Sequence, residues 1–173
     1  MGYTIKDFID SNNFPEMKLI SDNSEITREI KGTQIIAAPD MEKFLGGGEL
    51  LLTSLMVYEK LDERMMLSHL EELNKKQVSG FIVKKIQNTA HQNKLFETLL
   101  FFCNEHSIPV LEIPQDFNYW SIIKYLLLQV FNIEIAKAVY SLTHCQVKNS
   151  FLLLFGFKNK LTIEVKCINV IIS

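Results

Sequence analysis

GGGELLLTSL, residues 46–55, decides the fold. Three glycines break whatever helix precedes them. Glu49 to Ser54 then run as a nearly continuous apolar strand. A strand of that kind is buried on both faces, which favours a parallel sheet. Downstream, SGFIVK (79–84) and IPVLEIP (108–114) repeat the same character, the last bounded by prolines. Helical periodicity fills the two intervals. Leu61, Met65, Leu70 and Leu73, with Met66 beside them, make one apolar face, and Asp62, Glu63, Glu71, Glu72 and Lys75 the other. Asp62 and Glu63 in the first turn and Lys75 and Lys76 in the last follow the helix dipole. Leu95, Leu99, Phe102, Cys103 and His106 mark the second helix. Strand–helix alternation over residues 49–113 predicts an α/β fold, a mainly parallel sheet with helices packed on it.

Upstream, Thr4 caps a short helix with Asp7 three residues on, and Ile5, Phe8 and Ile9 form its stripe. Met17 to Ile20 and Thr33 to Ala37 read as strands, joined by the connector SDNSEITREI and closed by Pro39. Beyond Asp116 the chain predicts a long C-terminal helix, about Tyr119 to Thr143, apolar on nearly every side from Trp120 to Phe131. One face packs on the sheet. The rest needs a partner, because a single domain rarely leaves so large an apolar patch wet. Either the tail covers it or a second subunit does, through Trp120, Ile123, Leu127 and Phe131, and a symmetric dimer is the default form of such a contact.

These elements place one domain at residues 1–145. The tail, 146–173, differs in composition, with a net charge of +3 against −5 for the remainder. FLLLFGFKNKLTIEVKCINVIIS predicts two or three strands; it is too short for a domain and reads either as a truncated start of a second one or as an out-of-frame end. The whole chain has 173 residues, 47% of them hydrophobic and 22% charged, enough apolar surface for a packed core. Its net charge of −2 supplies no global positive field for a phosphate backbone. Three scattered cysteines suit a reducing cytoplasm. Neither a signal peptide nor a membrane-spanning run is visible.

Catalytic chemistry is thin. His69, His91, His106 and His144 fall in no metal-binding or hydrolytic spacing, Cys103 lies on an apolar helix face, and no metal or cofactor is implied. GGGELLLT is neither GxGxxG nor a P-loop, and it precedes a strand instead of opening a helix, so Gly46, Gly47 and Gly48 read as a tight structural turn. Ligands of open parallel sheets bind outside the carboxyl ends of the strands. Those ends offer Thr53 and Ser54, then Lys84 and Lys85, then Glu112. Either they converge on a small polar effector or they are ordinary strand-end residues.

Several segments, in order, resemble the N-terminal domain of the purine catabolism regulator (PucR-type) family of bacterial transcription factors. They are TIKDFID, EITREIKGTQIIAAPDMEKFLGGGELLLTS, VSGFIVKK and CNEHSIPVLEIPQDFNYWSII, together covering about residues 3–140. The resemblance implies a regulatory, non-enzymatic α/β domain, cytoplasmic, set ahead of a helix-turn-helix that binds DNA. It also implies control of purine or nitrogen catabolic genes. No helix-turn-helix reads in these residues, so DNA is reached only through domains absent from this chain. Two competing readings are a ligand-free dimerisation module and a small-molecule enzyme.

Overall fold

A computed structural model describes residues 2–22, 24–84 and 90–156, with side chains to residue 141. The short first helix, α1 (Ile5–Asp10), opens on a capping box. The Thr4 side chain accepts from the Asp7 amide at 3.1 Å, and the Asp7 carboxylate accepts from the Thr4 amide at 2.9 Å. Strands β1 (Lys18–Leu19) and β2 (Gly32–Ile35) follow, then a 3-10 turn over Met41–Phe44 and β3 (Glu49–Thr53). Helix α2 (Glu63–Lys75), β4 (Gly80–Lys84), α3 (Ala90–Glu105) and β5 (Val110–Ile113) complete the alternation before α4 (Tyr119–Gly156).

The five strands form one sheet in the order β1-β5-β4-β3-β2. Strands β2 to β5 are parallel; β1 joins the β5 edge antiparallel, Lys18 opposite Glu112. Period-two alternation sorts the strand residues into two layers. Leu51, Phe81, Val83 and Val110 face α2 and α3, packing on Leu70, Leu73, Leu99 and Cys103. Leu50, Leu52, Ile82, Leu111 and Ile113 face the other way, onto Ile5 and Phe8 of α1 and Ile122 and Leu126 of α4. Both faces of β3 are therefore dry, as its unbroken apolar run requires. The fold is a mostly parallel α/β sheet with helices on both faces.

Two local expectations are corrected. Met66 and His69 carry the buried stripe of α2, while Met65 is exposed. Residues 151–156, expected as strand, continue α4. An aperiodic apolar run is ambiguous between the two states, and extending an existing helix needs no new nucleus. The tail from 157 onward lies outside the described residues. The chain divides into two compact units, Met1–Glu134 and Ile135–Ser173. The first holds the whole sheet; of the second, helix alone is described. Among the described residues no helix is long and apolar enough to cross a membrane.

Candidate functional site

The glycine turn is built around its own acid. The Glu49 carboxylate accepts the Gly46 amide at 2.8 Å and the Gly47 amide at 3.0 Å. Gly47 and Gly48 take φ of +100° and +83°, the left-handed region that favours glycine. At Gly47 a side chain would also meet the Lys76 carbonyl oxygen, 2.8 Å from the Cβ position. The loop thus encloses a carboxylate supplied by the chain itself.

That turn forms one wall of a cavity of about 710 Å³ at the N-terminal edge of the parallel strands, a size typical of small-molecule sites. The connector before β2 supplies Arg28 and Lys31, the end of α2 supplies Asn74 and Lys76, and Ser79 precedes β4. Arg28 is committed to structure. Its guanidinium donates to the carbonyls of Val78 at 3.0 Å and His106 at 3.2 Å and pairs with Glu25. Ser79 is 1% exposed, and its hydroxyl has no hydrogen-bond partner. A buried polar group left unmatched costs about 1–3 kcal/mol.

The residues expected at the opposite, carboxyl-end rim are placed apart. Thr53 is buried, and its hydroxyl accepts the Leu55 amide at 2.9 Å, capping the turn in which Leu55 takes a positive φ. Ser54 is exposed. Glu112 lies on the α2–α3 face of the sheet, like Thr53, by strand alternation. Lys84 lies on the other face, its ammonium 4.7 Å from the centre of the Tyr119 ring. Lys85 lies outside the described residues. Strands β2 to β5 also follow one another without a reversal of order, so the crevice that such a reversal opens has no counterpart among them. Sequence reasoning missed Lys31, Lys76 and Ser79, which are polar residues in unremarkable spacing.

A second polar cluster lies under the 3-10 turn. The Tyr58 hydroxyl and His69 Nδ1 are hydrogen-bonded at 2.9 Å, and His69 Nε2 stands 3.5 Å from a Glu42 carboxylate oxygen. Burial lowers the His69 pKa from its ordinary 6.5, partly opposed by the charges of Glu42 and Asp40. Burial raises the hydroxyl of Tyr58 and the thiol of Cys103 far above their usual ranges. Both are held neutral and out of a substrate's reach, which removes them as nucleophiles. No cluster of three or more metal-ligating side chains occurs among the described residues.

On α4, Trp120 (63% exposed), Leu127, Leu128 and Phe131 (62% exposed) stand in solvent. Ile123, expected with them, is partly buried against the sheet-facing core.

Comparison with known proteins finds no matching curated protein. Among solved structures, the chain is similar to the CBS and DRTGG domains of the regulatory region of Clostridium perfringens pyrophosphatase, a structure complexed with the activator diadenosine tetraphosphate. Identity is 14% and the TM-score 0.43, over 74% of this chain and 47% of that one. The chain therefore spans about half the length of that structure. A sequence model of the purine catabolism regulatory protein-like family, PucR, matches residues 7–130, well over half of the chain and nearly all of the sheet-bearing unit. The chain belongs to the purine catabolism regulatory protein-like family.

Proposed function

We propose that this chain is the metabolite-sensing, non-enzymatic part of a cytoplasmic bacterial transcription regulator of purine or nitrogen catabolism. The family match over residues 7–130 carries the reading. Two features of the molecule support it. The cavity beside the glycine turn has the volume of a small-molecule site, and Tyr58 and Cys103 are sealed in the core. DNA is contacted by other domains, and a second copy of the chain docks on the apolar side of α4. A thermal-shift screen of the full chain against purines, ureides, amino acids and sugar acids tests the sensing role. Ligand binding to the native state raises the midpoint by mass action. A concentration-dependent rise with one compound class is expected. A folded, self-associated protein that responds to none of them refutes sensing.

That second outcome would favour a ligand-free dimerisation module. The exposed Trp120, Leu127, Leu128 and Phe131 are the observation behind this alternative.

A further inference from the structure

We infer that the cleft at the N-terminal edge of the sheet, between Lys31, Lys76 and Ser79, holds a small oxyanion: a carboxylate or a phosphate group. The inference deepens the sensing reading and rests on it.

The first observation is the floor. Ser79 is almost fully enclosed, lines the cavity and keeps a hydroxyl without a partner. Its amide is already used, donating to the Glu49 carbonyl at 2.9 Å. The hydroxyl is the unmatched donor beneath the cleft, and an oxyanion that reaches it accepts its hydrogen bond.

The second is the charge on the walls. Glu25 is matched by Arg28, and Lys75 by Glu72 at 2.6 Å. Among the described residues Lys76 reaches the Leu45 carbonyl, at 3.4 Å. Lys31 is exposed, and its ammonium has no partner among the described residues. The end of α2 turns negative partial charge toward the cleft. The side chain of Lys76 offsets part of it, and Lys31 borders the same cavity, whose walls also carry Glu29.

The third is how closely the two lysine-bearing segments approach the glycine loop. A Cβ on Gly48 would lie 2.9 Å from Lys31 Cδ, and one on Gly47 2.8 Å from the Lys76 carbonyl oxygen. Bare glycine thus leaves room for the Lys31 stem on one side of the loop and for the end of α2, which carries Lys76, on the other. The Gly46 and Gly47 amides are held by Glu49, so side chains, not a glycine nest, would grip the ligand.

The test is an amide-resolved NMR titration of the full chain with sodium phosphate, with sodium succinate, and with sodium chloride at matched ionic strength. Saturable shifts at Gly47, Gly48, Gln77 and Ser79 with phosphate or succinate, absent with chloride, are expected. Whichever anion saturates identifies the phosphate or the carboxylate source. Lys31→Gln and, separately, Lys76→Gln should weaken the apparent affinity at least tenfold, and Ser79→Ala several-fold, with the remaining spectrum unchanged. Linear shifts equal to those with chloride overturn the inference. So does saturable binding that survives both lysine substitutions. Shifts confined to Thr53, Ser54, Lys84 and Glu112 also overturn it while leaving the sensing reading intact. The sensing reading falls separately, on a metabolite screen without any response.

Discussion

Substituting the three consecutive glycines one at a time should give three different costs. At Gly47 two penalties coincide: φ is +100°, and a new Cβ would lie 2.8 Å from a backbone oxygen, that of Lys76. A non-glycine residue in that backbone region costs on the order of 1–3 kcal/mol. The carbonyl belongs to the end of α2 and cannot swing aside as a side chain can, so the backbone shift adds roughly 1–3 kcal/mol. Gly47→Ala should therefore destabilise by about 3 kcal/mol or more. Gly48→Ala meets only the movable stem of Lys31, at 2.9 Å, and keeps the positive-φ penalty alone, about 1–3 kcal/mol. At Gly46 the nearest atom is a Glu49 carboxylate oxygen at 3.5 Å, an ordinary contact. Gly46→Ala should fall within about 0.5 kcal/mol of wild type. Urea unfolding followed by circular dichroism reads all three. The corresponding thermal midpoints should move by roughly 2–4 °C per kcal/mol. Equal costs at Gly46 and Gly47, or a Gly47→Ala protein as stable as wild type, would show that the turn is not held as described.

Two further outcomes can be measured. The native pKa of His69 is lowered by burial, so its contribution to stability is fully present above pH 6.5 and is lost as the pH falls from there through the lower native value. Wild type should lose stability faster than His69→Gln between pH 7 and pH 5; parallel slopes in urea titrations would refute this. Self-association through α4 should be weakened at least tenfold by Leu127→Asp in sedimentation velocity, with the circular dichroism spectrum unchanged. A variant as associated as wild type would move the contact elsewhere.

The strands were legible because burial on both faces leaves no polar alternation: ELLLT, GFIVK and VLEI stand out against their flanks. The capping box at Thr4 was legible because a cap needs only local spacing; Asp62, read as a first-turn acid, is instead the cap of α2, its carboxylate accepting the Met65 amide at 2.7 Å. Met65 and Met66 were not separable, since neighbouring helix positions lie about 100° apart and both border the same stripe. The grip of Glu49 on the glycine amides carried a local signal, an acid within three residues of the loop, that the P-loop comparison passed over. The cleft carried none. Lys31, Lys76 and Ser79 meet only because Gly32 pairs with Glu49 and Leu50 with Gly80 across parallel strands. No residue window contains that register.

The order of the strands also has a bearing on how the sheet assembles in time. From β2 to β5 each strand pairs with the one just before it in the chain, residue 50 with 80 and residue 81 with 110. Those closures are of moderate length; β2 and β3 are joined through the 3-10 turn, and α2 and α3 make the two crossovers that follow. Strand β1 is different: Lys18 must find Glu112 across most of the domain, for a pairing only two residues long. Loop closure costs most for the widest separation and returns least there. The N-terminal arm is therefore expected to dock last, on a sheet already formed, and to be the first part released when the protein opens.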